Sequence, residues 1–596
     1  LSKKPITIVV GVPVGAVVLL GGLLAIAAVS AQSVQSSQAA QAAQTPTAAS
    51  APPADSKAAV AAAAAKMGGG DFAGAAAALE KVIAREPGNA LAWRYLGFAY
   101  LKQKKYPDAR AAYGRLLGLI PDAPQALYNT AVSYAAEGNR DAAFEWLARA
   151  KATRRLDMTQ IQVDEDLKPL AADPRFAALL PRPEDFADPF LESEHVRVLR
   201  EWDGETQGDQ FGWIARSLGD VDGDGVADFV TSAPTWAGAS GKDKDAGRVY
   251  VYSTKTGRLL WKADGALADE LGTGVELAGD TNRDGVPDVV AGAPGGGKAF
   301  IYSGKDGRIL QTLVAESKDD TFGRHVSTAG DVNGDGYDDV LIGAPSNAAA
   351  GKDAGRAYLY SGRDGRLLMS WTGERAGDNF GSTVAGSTRG GKSIVMIGAP
   401  HAGPRHSGRV YVYDGTIAKP RLVLESDDTG AAFGYMFLAI PGDLDGDGVP
   451  DLYATDFTNS AKGPSTGRAY VFSGRTGKNL LTLTGEGASE GFGIGPATAG
   501  DVDGDGRPDL IVGAWQYGGA AVSGGRAYLY SGRDGRLLKT YTCRIPGDTF
   551  GFDAVGMGDT DGDGTIDFLI TSAWSGIQGN HSGRVFLISS GIRKTP

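Results

Sequence analysis

Six stretches of this 596-residue chain set oxygen-bearing side chains at alternate positions, in the pattern D-x-[DN]-x-D-G-x-x-D. They are Asp220, Asp222, Asp224 and Asp228; Asp280, Asn282, Asp284 and Asp288; Asp331, Asn333, Asp335 and Asp339. The same spacing returns at Asp443, Asp445, Asp447 and Asp451; Asp501, Asp503, Asp505 and Asp509; Asp559, Asp561, Asp563 and Asp567. Oxygen-only donors two residues apart, followed by a glycine that permits a tight turn, suit a hard cation such as Ca2+. A single such stretch is also an ordinary Asp- and Gly-rich turn. Six in phase with a longer repeat point to calcium. Their crowded carboxylates repel one another, so bound metal would stabilise the fold by linkage.

The elements that must carry these loops repeat about every 50 to 60 residues from residue 195 onward. A Phe-Gly pair opens each unit at Phe211, Phe322, Phe380, Phe433, Phe492 and Phe550, with Leu271-Gly272 as the variant, giving seven units. Most units run through an acidic loop to an apolar stretch ending in Gly-Ala-Pro, as at Gly343-Ala344-Pro345, or a relative. A Gly-Arg-x-Tyr strand, a tight turn and one more apolar strand follow. Four short strands per unit make one propeller blade, and a lone blade leaves its faces bare, so seven must stack around an axis. The last unit stops without its fourth strand, whereas residues 195–202 precede the first Phe-Gly where a fourth strand would stand. That early segment is expected to complete the last blade and remove its open edge.

The Phe-Gly, Gly-Ala-Pro and D-x-D-x-D-G elements resemble FG-GAP repeats, the units of the integrin α-subunit propeller, over about residues 195–590. The resemblance implies calcium loops between the first two strands of each blade, on one end of the ring, with ligands meeting the opposite end. Two units depart from it. The fourth has no acidic loop, and the fifth replaces Gly-Ala-Pro with Thr455-Asp456-Phe457. If the geometry carries over, loops after the second strand present Trp236, His401, His406, Phe457, Trp515, Tyr517 and Trp574 on the ligand-facing end. Exposed aromatics there would suit sugar rings or protein partners. The alternative is that they pack the mouth of the central channel.

Upstream, residues 56–180 are helical with a period of 34: Phe72 and Tyr106, Leu79, Tyr113 and Leu147, Pro87 and Pro121. That period resembles the tetratricopeptide helix-pair repeat, with about three units over 56–155 and a helical cap over 156–180. Such arrays offer a groove for a peptide, or serve as spacers. A Pro-rich linker covers 181–194, and the propeller fills 195–596. Residues 32–55 lack large apolar side chains and read as a disordered tether. Lys3 and Lys4 precede an uncharged apolar run from Ile6 to Val29, long enough to span a bilayer. Residues 1–31 are thus a membrane anchor or a cleaved signal, and either places the rest outside the cytoplasm.

Composition narrows the function. A formal net charge of −11 argues against nucleic acid as a partner. The single cysteine, Cys543, allows no intrachain disulfide, and no His pair has zinc spacing. Residues 386–393 match the phosphate-binding pattern G-x-x-x-x-G-K-[ST], and 463–467 match G-x-S-x-G. Both lie in repeat phase where strands and loops are expected, so neither reads as a nucleotide site or a nucleophile. No catalytic constellation remains. The sequence reads as a non-enzymatic, membrane-tethered, extracytoplasmic scaffold for adhesion or interaction, stiffened by about six Ca2+ ions. It would bind a protein through the propeller and another partner, such as a peptide, through the helical array; the alternative is a calcium-stabilised lectin.

Overall fold

The computed structural model describes residues 54–593, apart from 239–240, 242–243, 390–391 and 428. The expected anchor and most of the tether fall outside the described residues. Among those described, no helix is long and apolar enough to cross a membrane. The chain divides into two compact units, with the break between Thr153 and Arg154.

The first unit is three antiparallel helix pairs, α1 (Ala54–Gly68) with α2 (Phe72–Arg85), α3 (Ala90–Lys102) with α4 (Tyr106–Leu119), and α5 (Pro124–Ala136) with α6 (Arg140–Ala152). Asn89 and Asn139 cap the starts of α3 and α6 by accepting from backbone N–H groups three residues on. The 34-residue period puts Leu79, Tyr113 and Leu147 at equivalent, fully buried stations between paired helices.

The second unit is a ring of seven four-stranded antiparallel sheets. Blade 1 runs through Ala215–Gly219, Asp228–Ala233, Arg248–Tyr252 and Leu259–Asp264. Blades 2 to 6 follow over 275–314, 326–372, 383–425, 438–484 and 492–542. Innermost strands touch in sequence around the ring, including those of blades 7 and 1. The second strand of blades 1, 2, 3, 5, 6 and 7 is buried at every position, because it is covered by the neighbouring blade on each face. Outer strands are half exposed, as in Leu367–Thr372.

The repeat consensus follows from how blades meet. Gly355, ahead of the third strand in blade 3, has φ +84, and a Cβ there would overlap the backbone of Phe380 in the next blade. The two residues instead form a bridge between blades, repeated as Gly247 with Leu271 and Gly525 with Phe550. At Gly343, in Gly-Ala-Pro, a side chain would overlap the carbonyl of Gly381 in the following Phe-Gly. On the outside, fourth strands brace the next blade: Trp261 Nε1 donates to the Gly304 carbonyl at 2.7 Å, and Trp371 Nε1 to that of Ile417 at 3.1 Å.

Closure occurs as the sequence implies. Blade 7 takes Ala554–Gly558, Asp567–Ser572 and Arg584–Ser589 from the end of the chain, and its outer strand is Val198–Asp203. Phe211 bridges Gly583 at the seam, and Trp202 Nε1 donates to the Gly257 carbonyl of blade 1.

Residues 156–194 differ from expectation. They belong to the same compact unit as the ring. Short 3-10 turns and one six-residue helix run through them, and they strap onto blades 6 and 7. Phe190 inserts edge-on against Phe550 and Phe586, with ring centroids 4.9 and 5.4 Å away, and pairs with Cys543 as an added bridge beside blade 6. The blade sequence is adjusted to receive it. In blades 1, 3 and 6 the arginine of Gly-Arg binds a glutamate ahead of the first strand, as Arg248 binds Glu205, Arg356 binds Glu316 and Arg526 binds Glu486. Blade 7 has Arg544 at that station. Arg544 pairs with Asp188 of the strap, and Arg584 turns to Glu201, Asp203 and the Phe186 carbonyl.

Candidate metal loops and the opposite end

Each acidic loop connects the first and second strands of its blade and folds around its own carboxylates. The Asp at position 1 accepts backbone N–H groups from positions 4 and 6; for Asp501 these are Gly504 at 2.9 Å and Gly506 at 3.1 Å. The glycine after position 5 sits at φ +82 to +86 in all six loops. Only a residue without Cβ takes that conformation at little cost. Asn282 and Asn333 accept from the amides of Asp284 and Asp335 as Asp222 does from Asp224, so they hold the same loop shape with one charge fewer.

The carboxylate at position 9 is the deepest. Asp228, Asp288, Asp339, Asp451, Asp509 and Asp567 are fully buried. Each accepts the amide at position 2, and in five blades the same side chain also caps the turn before the fourth strand. Thus Asp451 takes Leu444 N at 2.8 Å and Gly474 N at 2.9 Å. Burial pushes Asp228, Asp288, Asp339 and Asp451 up to about 6, since an uncompensated charge is costly there. Asp567 and Asp509 rise for the same reason. Blade 7 has no such turn, because its fourth strand comes from the other end of the ring. Asp567 is therefore left with a buried carboxylate oxygen that has no hydrogen-bond partner.

Carboxylate oxygens converge within 4.8 Å in four loops: at Asp220, Asp222 and Asp228; Asp443, Asp445 and Asp451; Asp501, Asp503 and Asp509; and Asp559, Asp561 and Asp563. The other two loops have the Asn at position 3. Hard oxygen donors converging at a tight turn fit a divalent cation of the calcium type. In such a site these carboxylates would hold the ion, and its contribution would be rigidity.

With repeated Phe-Gly openings, blade-bridging glycines and acidic loops in phase, comparison with known families settles the repeat. The chain carries FG-GAP repeats. The FG-GAP repeat family matches residues 211–252 and 322–360, and the FG-GAP-like repeat matches 443–512 and 501–570. Tetratricopeptide repeats match 60–124 and 99–157. The chain is similar to Integrin alpha-PS5 of Drosophila melanogaster, 33% identical over 186 residues, which are 28% of this chain and 17% of that protein. Integrin alpha-5 of Xenopus laevis is 30% identical over 239 residues, 37% of this chain and 22% of its own length. Integrin alpha-V of Gallus gallus is 31% identical over 231 residues, 35% and 22%. The chain thus spans about a fifth of the length of these relatives.

At the end of the FG-GAP ring away from the acidic loops, the expected ligand residues separate into two kinds. Trp236 and Trp515 are 5% and 7% exposed and do not present a binding surface. Arg248 lies over the Trp236 ring at 3.5 Å, and Trp515 packs edge-on to Phe552 and Trp574. Both rings are packed among neighbouring side chains rather than offered to solvent. Trp574 is half-buried, stacked on His581 at 5.0 Å. Tyr517 is half-buried beneath Arg526, and Phe457 is half-buried against Tyr435. His401 and His406 are exposed on one loop of blade 4, with His406 Nδ1 3.1 Å from the His401 carbonyl.

Sequence reasoning missed the residues that directly follow Phe-Gly. Trp213 stacks toward Phe552 across the seam at 4.9 Å, and Arg324 of blade 3 donates to the Tyr435 hydroxyl of blade 5 at 3.1 Å. Their signal was the constant spacing from Phe-Gly. Deeper in the channel Arg216 joins Glu276 and Asp553, tying blade 1 to blades 2 and 7 through buried charges.

The motif matches resolve as strands and turns. Residues 386–389 and 392–393 of the first match lie in paired antiparallel strands, where a phosphate-binding loop would instead lead into a helix. Ser465 sits in a tight turn at φ +49. Asn580, the acceptor of an N-x-S sequon, is buried with its amide bonded to Thr159 of the strap, which closes it to modification once folded.

Proposed function

We propose that the chain is a non-enzymatic, extracytoplasmic interaction scaffold of the adhesion type, stiffened by calcium and held at a membrane by its apolar N-terminal run. The FG-GAP ring binds a protein partner through the end opposite the acidic loops, and the tetratricopeptide array docks a second partner. The observation that supports this most is the division of labour between the two ends. One end has six oxygen-lined loops fixed to blade cores by buried carboxylates. The other carries the connections between second and third strands, which run from four residues in blade 2 to fourteen in blade 1. Rigid scaffold with variable loops is the usual arrangement of recognition surfaces.

Beads coated with the full chain provide the test. Adhesion to native cell surfaces should require calcium, be lost after the cells are treated with protease, and survive glycosidase treatment. The reverse sensitivity would establish a lectin. That reading needs open aromatic faces for sugar stacking, and the burial of Trp236 and Trp515 removes two of them. Absence of adhesion under all conditions would refute the scaffold reading.

A further inference from the structure

Among the described residues, three of the four acidic loops with four carboxylates pair a carboxylate with an arginine of the chain, and neither loop with three does, although Arg283 Nε donates to the Gly336 carbonyl of the blade 3 loop at 2.8 Å. In blade 5, Arg475 Nε meets the Asp447 carboxylate at 2.8 Å and its Nη2 reaches the Asp447 carbonyl at 2.6 Å. In blade 6, Arg533 repeats both contacts on Asp505, at 2.7 and 2.6 Å. Lys255 Nζ donates to the Asp224 carbonyl of blade 1 at 2.6 Å. Blade 7 lacks the turn that supplies these residues, and Arg197, at the start of the closing strand, takes Asp561 and Asp563 at 2.6 and 2.5 Å. At the same turn position in blades 2 and 3 stand Lys305 and Arg363. Arg363 lies over the Tyr337 ring instead, and among the described residues Lys305 makes no ion pair with its loop. In blades 1, 5 and 6 the held aspartate at position 5 is also the one outside the converging oxygens.

We infer that Arg475, Arg533 and Arg197 are tethered counter-cations that compete with calcium for their loops, so that the sites fall into a latched and an unlatched class. The inference rests on the calcium reading above. A guanidinium on a carboxylate is a charge-assisted pair that must be given up before that oxygen can turn to a metal. While the loop is empty of metal, the same pair offsets the fourth negative charge. The latch therefore acts in opposite directions on metal-free stability and on calcium affinity. A merely structural arginine would change the first alone.

Calcium titration of the full chain, by calorimetry and by competition with a chromophoric chelator, tests this on the double variant Arg475→Gln with Arg533→Gln. Two sites are expected to gain affinity by about tenfold, while the melting temperature in excess chelator falls. Arg363→Gln should change affinity less than twofold. Calcium uptake by the unmodified chain with no gain in the double variant overturns the competition while leaving the calcium reading intact. No uptake by the unmodified chain overturns the calcium reading and the competition with it.

Discussion

Replacing Phe190 by Ala would test whether residues 156–194 belong to the ring. The side chain is 5% exposed and makes edge contacts with Phe550 and Phe586, so little solvent can replace what is lost. Truncating a buried Phe costs about 3–5 kcal/mol, aromatic pairing included. For a unit of this size, unfolding as one cooperative block, that corresponds to a fall of about 3–5 °C in melting temperature. The single cysteine supplies a local reporter. Cys543 is 1% exposed and lies directly beneath the Phe190 bridge. If the strap opens locally, a loss of about 3 kcal/mol speeds thiol labelling in native conditions by about a hundredfold. Leu267→Ala, at a side chain 64% exposed, should alter neither readout. An unchanged labelling rate and an unchanged melt in Phe190→Ala would show that the strap is not docked.

Chelation should lower the melting temperature of the full chain, and magnesium should restore it poorly, because it gives up water reluctantly; coincident melts with and without chelator would refute a structural role for calcium. Trp515→Ala should destabilise the ring by about 3 kcal/mol with calcium stoichiometry intact, as read by chemical denaturation; a stable variant that only lost binding would restore Trp515 as a contact residue. Burial pushes Asp157 of the strap up to about 6, with the neighbouring Asp548 carboxylate adding to it. A carboxyl whose folded value is raised favours the folded state when protonated, so this contribution is present below about pH 4 and lost as pH rises through 6. Asp157→Asn, which keeps the cap acceptor for Thr159, should therefore gain about 1–3 kcal/mol at pH 7.5 and flatten the profile between pH 4 and 6. Equal pH profiles for both proteins would count against it.

The ring and its acidic loops were legible because a repeat multiplies weak signals. One Asp- and Gly-rich turn says little, but seven Phe-Gly openings fix the blade count, and the same spacing at Asp220, Asp280, Asp331, Asp443, Asp501 and Asp559 fixes the loop's place in six of the blades. Closure by residues 198–203 was legible from a missing strand at one end and a surplus strand at the other. The strap was not, because 3-10 turns have neither the 3.6 nor the 2.0 period and its hydrophobics, Phe186 and Phe190, stand alone. Burial of Trp236 and Trp515 was hidden because loop residues lack the alternation that assigns a face. The odd Thr455-Asp456-Phe457 makes sense only in three dimensions. Blade 5 has Ala431 where blades 1, 3 and 4 have an aspartate two residues before Phe-Gly, and Asp456 accepts the amides of Ala431 and Ala432 instead.

Closure by the two ends of the ring also sets a clock. Glu201, on the closing strand, meets Arg584 across 383 residues of sequence. At ribosomal speeds of about 5–20 residues per second, the first strand waits about 20–80 s for its partner. Throughout that interval six blades can form in order while the seventh cannot, and the strand Val198–Asp203 has nothing to pair with. A chain cut short anywhere before residue 584 leaves this strand permanently unpaired. Premature termination late in the gene should therefore be as damaging as termination early in the propeller, a step response where a linear repeat array would lose stability by degrees.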